Sequence, residues 1–318
     1  MTETDLRRFL SGQGLLADQA RFKKLKGGYL NSVWRVDTEE RCLAAKEFAV
    51  PMTGTLFPNL PKDEAEALRR LTGQNVAPEL VGFWPDESLL VYEYVEGDMW
   101  DSDTESVAKL LLRKEGVDPT GFRKVSLQFE DILFEGDALF ARCQNLPEIK
   151  RPIVVEVPSP NRVSLIHTDV GVNLIGKGAN LRLIDWQCPA AGDICEDIFS
   201  FISPAFQILA ERKPLSSKQV EEFWQALSRP ELFNRYTLLY PAYAWRFGGY
   251  CAWRSEVLED EEVCTRYRRA LAAELMSMKM SQTSNKLKHW SNKIRKSRES
   301  GVFLNIQIRP DTSTPLRP

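Results

Sequence analysis

The segment from Leu165 to Trp186, LIHTDVGVNLIGKGANLRLIDW, constrains the fold more than any other part of this sequence. Apolar residues flank a short polar loop that presents His167, Asp169 and Asn173, and the Gly-rich turn that follows predicts a β-hairpin. The hairpin would bring Asn173 and Asp185 to the same end. The pattern therefore predicts an amide oxygen and a carboxylate that can share one hard divalent ion. Asp169 is left free to accept a hydroxyl proton.

Composition narrows the classes of metal, compartment and partner. With only two histidines, a His-rich zinc or iron site is nearly excluded, and any metal should be a hard ion held by oxygen ligands. The six cysteines form no C-x-x-C pair and indicate reduced thiols rather than disulfides. A net charge of −2 argues against a nucleic-acid partner. No apolar run approaches the ~20 residues of a membrane span, and the N-terminus lacks an apolar signal core. We expect a soluble, cytoplasmic protein.

The periodicity of the chain predicts an α+β protein with a small β-rich first part and a larger, mainly helical second part. The predicted elements of the first part are a leading helix, strands at 29–36 and 42–48, a helix from Pro61 to Gly73, and a strand pair ending near Val95. A helix is predicted at 103–114, no assignment is made for 117–150, and helices dominate from residue 192. We predict three units, namely an N-terminal lobe at 1–96, a C-terminal lobe at 97–284, and a basic terminal helix with a tail at 285–318.

The polar loop and hairpin resemble the aminoglycoside phosphotransferase and choline kinase family, small-molecule kinases with a two-lobed, protein-kinase-like fold. That family's loop reads His-x-Asp followed by Asn, with a further Asp at the end of the next strand. The matching positions are His167, Asp169, Asn173 and Asp185. The resemblance implies that Asp169 is the catalytic base and that Asn173 and Asp185 bind Mg²⁺.

Further motifs extend the resemblance in the correct order along the chain. It implies a nucleotide-binding set made of a Gly-rich hairpin, a phosphate-gripping lysine, its helix glutamate and a hinge strand that holds the adenine. The corresponding residues are Gly28 and Ser32 in the hairpin, Lys46, Glu64, and Glu93 and Val95 in the hinge. Downstream, the segment 192–197 resembles the family's Gly-Asp segment, which supports the catalytic loop.

The resemblance implies an ATP-dependent phosphotransferase that uses Mg²⁺ and transfers the γ-phosphate to a hydroxyl of an amino sugar, amino alcohol or related metabolite. GTP stays open as the donor. Asn173 follows Asp169 by four positions where the family usually has five, and the run Leu110–Lys114 lacks the family's Leu-His ending. A nucleotide-binding pseudokinase that acts as a scaffold or sensor is therefore the alternative. A protein kinase is disfavoured, because Asp185 is followed by Trp-Gln and no activation loop fits before Asp193.

Two C-terminal features allow two interpretations each. An aromatic run lies near several acidic residues and could form a pocket for a cationic acceptor, but its helical spacing favours core packing. Its members are Trp245, Phe247, Tyr250 and Trp253. The basic run from Lys286 to Arg298 could touch a membrane or nucleic acid, but its apolar stripe favours a terminal helix packed on the domain. The oligomeric state is left open.

Overall fold

The first part of the chain is an antiparallel sheet covered by a helix on each face. The structure, a computed structural model, describes residues 1–16, 19–25, 30–49, 55–146 and 148–283. The strands are β1 (Arg21–Lys24), β2 (Ser32–Asp37), β3 (Cys42–Glu47), β4 (Leu80–Trp84) and β5 (Leu89–Glu93), in the spatial order β1-β2-β3-β5-β4. The two helices are α1 (Glu3–Gly12) and α2 (Pro61–Leu71).

Strand alternation decides which side chains of β3 meet which helix. Leu43 and Ala45 belong to the apolar cluster that also contains the buried residues of α1. Ala44 belongs to the main core, together with the apolar face of α2. Because side chains two positions apart share a face of a strand, Lys46 lies on the α2 side of the sheet. A charged residue thus stands next to a helix that begins with acidic residues.

The second part of the chain is mainly helical. Its helices are α3 (Thr104–Lys114), α4 (Phe129–Phe140), α5 (Ile194–Ile202), α6 (Pro204–Leu209), α7 (Ser217–Leu227), α8 (Pro230–Val257) and α9 (Glu261–Thr283). Four short strands form two antiparallel pairs, β6 (Ser164–Ile166) with β9 (Ala190–Gly192), and β7 (Leu174–Ile175) with β8 (Arg182–Leu183). The predicted α+β architecture with a helical second part is confirmed.

Helix α4 lies in the stretch that the sequence pattern left unassigned. It packs on α8, and Gly136 is the point of close approach, where an added Cβ would lie 2.9 Å from the Cα of Arg246. Glycine is therefore required there by a long-range contact that local periodicity cannot show. The sheet ends at Glu93 and α3 begins at Thr104. The division of the chain at residues 96/97 stays a prediction.

Two further predictions concern the C-terminal segment and membrane-spanning helices. The basic run from Lys286 to Arg298 and the third predicted unit, 285–318, lie outside the described residues. Of the helices in the described ranges, none is both long and apolar enough to cross a membrane.

Candidate active site

The hairpin of β7 and β8 places Asn173 and Asp185 next to each other. Leu174 pairs with Leu183, and one step further the amide of Ile184 donates to the carbonyl of Asn173 at 3.0 Å. Asp185 follows directly and has φ of 59°, a left-handed conformation that is strained for a residue other than glycine. The hairpin thus presents an amide and a carboxylate side by side, with the carboxylate held in an unfavourable backbone conformation.

Asp169 and Asn173 are linked by hydrogen bonds. The side-chain nitrogen of Asn173 donates to the carbonyl of Asp169 at 2.9 Å and to its carboxylate at 3.2 Å. Burial raises the pKa of Asp169 to about 7, the charge of Asp185 adds to this rise, and the Asn173 hydrogen bond opposes it. A carboxyl group with that pKa can exchange a proton near neutral pH.

Lys46 joins the sheet, helix α2 and the hairpin through two ion pairs. Its Nζ lies 2.6 Å from Oε2 of Glu64 and 2.5 Å from Oδ1 of Asp185. The lysine is only 2% exposed and Glu64 only 1%, whereas the Asp185 side chain is 37% exposed. Burial alone would lower the pKa of Lys46, but the charges of Asp185 and Glu64 outweigh it and the net shift is upward. The ammonium is therefore held protonated beside an accessible carboxylate.

Asp197 holds the backbone of the loop that carries His167 and Asp169. Its carboxylate accepts the amide hydrogens of His167 at 3.0 Å and Thr168 at 2.8 Å. Lys114 from α3 lies 2.6 Å from the same carboxylate, and both side chains are fully buried. Asp197 belongs to the segment predicted to support this loop, whereas Lys114 was not among the predicted site residues. Lys114 ends the apolar run of α3, but nothing in that run indicates its pairing with Asp197.

The ring of His167 braces the loop. Its Nε2 lies 2.9 Å from the carbonyl of Ile184, and its Nδ1 accepts the amide of Asp169 at 3.3 Å. One nitrogen must therefore carry a hydrogen and the other must not, which is the neutral ring. Burial lowers the pKa of His167 and favours the same form. Both nitrogens are occupied by backbone groups, so the ring orients the loop.

Gly171 lets the short loop pack tightly against α5 and α6. A Cβ at this position would collide with the carbonyl oxygen of Ser200 and lie 2.9 Å from Cβ of Phe206. The hydroxyl of Ser200 also accepts the amide of Val170 at 3.1 Å. The four-residue spacing between Asp169 and Asn173 therefore coincides with a close backbone approach that only glycine permits.

The residues predicted to bind the nucleotide lie along the sheet. Ser32 begins β2 opposite Glu47, while Gly28 is outside the described residues. At the end of β5, the amide of Glu93 donates to the carbonyl of Glu79 at 2.9 Å, and Tyr94 donates to Cys42 at 2.9 Å. Val95 is the next residue after this ladder. The structure thus brings Lys46, Glu64 and Asp185 into contact, whereas Ser32 and Glu93 lie at the ends of inner strands and Val95 lies beyond the end of β5.

The aromatic run of α8 is mostly core, and a phenylalanine from the first part of the chain closes it. Trp245, Phe247 and Tyr250 are buried. Phe57 packs edge-on against Phe247 at 6.2 Å and Tyr250 at 5.1 Å between ring centroids. The space beside Phe57 is about 10 Å³, which leaves no room for an organic cation. Trp253 stacks with the guanidinium of Arg142 at 4.0 Å.

A larger cavity of about 580 Å³ borders the loop between Asp169 and Asn173 at Val172. Its other walls come from residues 99–101 and from residues 207–219 of α6, α7 and their connection. No local sequence motif marks this cavity, so it was not among the predicted sites.

Solved structures share this fold, although no protein-family model and no curated protein matches the sequence. The fold is that of choline/ethanolamine kinases and aminoglycoside phosphotransferases, as the sequence analysis predicted. A choline/ethanolamine kinase family protein from Mesorhizobium loti matches with a TM-score of 0.58 and 15% identity, over 93% of this chain and 100% of its own. Choline kinase LicA from Streptococcus pneumoniae gives 0.56 and 17%, over 86% and 98%. The GDP complex of aminoglycoside 2'-phosphotransferase-IIIa gives 0.61 and 12%, over 87% and 99%.

Proposed function

We propose that this protein is a cytoplasmic, ATP-dependent phosphotransferase that moves the γ-phosphate to a hydroxyl of a small molecule. The observation that carries the proposal is the joint placement of Lys46, Asp185, Asn173 and Asp169 in a fold shared with small-molecule kinases. Phosphoryl transfer needs positioning and charge neutralisation rather than covalent chemistry, and this set of residues is suited to both. GTP is the alternative donor, since one structural neighbour holds GDP.

In this proposal the nucleotide binds between the sheet and the hairpin. Lys46 contacts the α and β phosphates, and Glu64 keeps its ammonium group in place. Gly28 and Ser32 cover the phosphates, and the backbone from Glu93 to Val95 holds the adenine. The buried ion pair of Lys46 and Glu64 supports this assignment, because a buried ammonium is stable only beside a partner that compensates its charge.

Asn173 and Asp185 are the proposed Mg²⁺ ligands, and their chemistry fits that ion. The side-chain nitrogen of Asn173 donates to Asp169, so the side-chain oxygen of Asn173 is available to a metal ion. Lys46 contacts Oδ1 of Asp185, which leaves the other carboxylate oxygen available as well. Within the described residues no group of three acidic, histidine or cysteine side chains could hold a metal. This suits Mg²⁺, which takes one or two protein oxygens and completes its shell with phosphates and water. When bound, the ion would neutralise phosphate charge.

Asp169 is the proposed base. As the acceptor oxygen forms its bond to the γ-phosphorus, the bond to the β-phosphate oxygen breaks and ADP leaves with those electrons. The acceptor's hydroxyl proton passes to the Asp169 carboxylate, which Asn173 orients. The pKa of about 7 supports this role, since a base works best when its pKa lies near the working pH.

The acceptor is proposed to be an amino sugar, amino alcohol or related metabolite. A cationic group of the acceptor would bind against the aromatic run of α8. This binding mode requires the Phe57 side chain to move away from Phe247 and Tyr250. Amines and quaternary ammonium compounds therefore belong in the acceptor panel beside neutral and acidic hydroxyl compounds.

The test is ADP formation from Mg-ATP over that panel, with Asp169→Asn as the variant and Asp118→Asn as a matched surface control. We expect turnover with at least one acceptor and a loss of about 10²- to 10⁴-fold in Asp169→Asn, the usual contribution of a general base. Asp118 is 71% exposed, and its substitution should leave turnover unchanged. Full activity in Asp169→Asn would refute the assignment. Mg-ATP binding without turnover on any acceptor would instead favour the pseudokinase alternative, which the short Asp169–Asn173 spacing motivates.

A further inference from the structure

Arg212 carries a partly buried positive charge, and its hydrogen-bond partners in the described part of the chain are neutral groups. Its guanidinium donates to the side-chain oxygen of Gln207 at 2.9 Å, to the carbonyl of Trp100 at 3.2 Å, and to the carbonyl of Gly171. Among the residues that the structure describes, no carboxylate lies within ion-pair distance of it. Burial lowers the pKa of Arg212 to about 10. A guanidinium in such surroundings attracts an anion, because its charge is desolvated without being neutralised.

The cavity of about 580 Å³ that Arg212 lines carries a net positive charge. Lys213 lines it as well, is exposed, and forms no ion pair within the described part of the chain. Asp101 is the acidic residue of the described lining, and its carboxylate lies 3.6 Å from Nζ of Lys177. Gln219 lines the cavity from the first turn of α7, the end at which a helix dipole favours negative charge.

The cavity also borders the loop that carries the proposed base. Val172, which lines it, lies between Asp169 and Asn173 in the chain, and Arg212 holds the carbonyl of Gly171 next to it. A molecule anchored at Arg212 would therefore extend along the catalytic loop. The volume suits a small metabolite, since ligand cavities are typically about 300–1,000 Å³.

We propose that this cavity binds an oxyanion group of the acceptor, a phosphate or a carboxylate, through Arg212 and Lys213. The assignment of the anion to the acceptor rests on the proposed function, whereas the anion site itself does not. The acceptor class is then a hydroxyl compound that also bears an acidic group.

The anion site is tested by titrating inorganic phosphate into the nucleotide-free protein, followed by calorimetry. We expect millimolar binding to the wild type, about threefold to fivefold weaker binding to Lys213→Gln, and about tenfold or weaker binding to Arg212→Gln. Lys218→Gln is the matched control, because Lys218 is a neighbouring exposed lysine outside the cavity, and its affinity should not change. Lys213 forms no ion pair with any described residue, so Lys213→Gln should fold even if Arg212→Gln does not. Sodium acetate as a second titrant distinguishes carboxylate from phosphate preference.

Two results would overturn the anion site. One is the absence of phosphate binding up to about 20 mM, well above the expected millimolar affinity. The other is phosphate binding that disappears in Lys46→Met but persists in Lys213→Gln, because such a result would place the phosphate at the proposed nucleotide site.

The acceptor assignment has its own measurement. In turnover assays, hydroxyl compounds with a phosphate or carboxylate should have a lower KM than their uncharged counterparts, and Lys213→Gln should raise that KM with little change in kcat. Turnover that prefers uncharged or cationic acceptors, with KM unaffected by Lys213→Gln, would refute this assignment and leave the proposed phosphotransferase intact. Conversely, absence of turnover with every acceptor would refute the proposed function, and the phosphate titration would still decide the anion site.

Discussion

Replacing Lys114 by methionine removes the cation that pairs with Asp197 beneath the proposed catalytic loop. The two side chains are fully buried, and Nζ lies 2.6 Å from the Asp197 carboxylate and 3.1 Å from the carbonyl of Leu165. Methionine keeps a similar length and an apolar stem, so the change removes mainly the charge and its hydrogen bonds. Asp197 is then left as a buried anion whose hydrogen bonds, within the described residues, come from the amides of His167 and Thr168.

The expected cost follows from this geometry. Removing one partner of a buried ion pair costs about 3–5 kcal/mol, because the other charge stays desolvated. Two amide donors still stabilise Asp197, so we expect the lower end, about 3 kcal/mol. That is a large part of the ~5–15 kcal/mol by which a typical protein is stable. Adding Asp197→Asn removes the orphaned charge, so the double variant should be more stable than the sum of the single effects by about 2 kcal/mol.

Urea unfolding followed by circular dichroism measures this coupling in a double-mutant cycle. Lys109→Met is the matched control, since Lys109 lies on the same helix but is 61% exposed and pairs with Glu105 on the surface. Its cost should stay within about 0.5 kcal/mol. The reasoning fails if Lys114→Met costs no more than Lys109→Met, or if the effects of Lys114→Met and Asp197→Asn simply add.

Three further predictions concern pH and backbone packing. The pKa of about 7 at Asp169 predicts that kcat/KM rises with pH through about 7, and a flat profile between pH 5 and 8 would contradict its role as a base. Burial raises the pKa of Glu274 from 4.5 to about 7. The folded state therefore holds that proton more tightly, and this contribution to stability is lost as pH rises from about 4.5 to 7. Glu274→Gln should reduce the fall of the melting temperature across this window, whereas an unchanged slope would exclude Glu274 as a source. Gly171→Ala should lower the free energy of unfolding by about 1–3 kcal/mol and impair turnover. Gly116 has open space around it, so Gly116→Ala should change neither quantity in parallel unfolding and activity assays. Equal losses of stability in the two variants would refute the packing argument.

Sequence patterns predicted the parts of the site that local geometry determines. The turn after Ile175 and the alternation of the flanking strands were enough to place Asn173 and Asp185 at the same end of a hairpin, where they lie. The resemblance led to Lys46 and Glu64 as partners, and their side chains form a buried ion pair. The catalytic and binding roles of these residues stay predictions.

Features that depend on long-range contacts could not be predicted in the same way. Lys114 neutralises Asp197 from a helix far away in sequence, and nothing near either residue indicates this pairing. The same holds for Phe57, which closes the aromatic cluster, and for Arg212, whose partners lie in three separate segments. Such contacts are determined by how the elements pack, which periodicity and spacing do not encode.

ATP calorimetry with and without Mg²⁺ tests whether Lys46 and Asp185 form a working nucleotide and metal site. The wild type should bind ATP, and Mg²⁺ should tighten the binding. In Asp185→Asn, ATP should still bind through Lys46, but the Mg²⁺ dependence should disappear. No ATP binding at millimolar concentration, or an unchanged Mg²⁺ dependence in Asp185→Asn, would contradict the account.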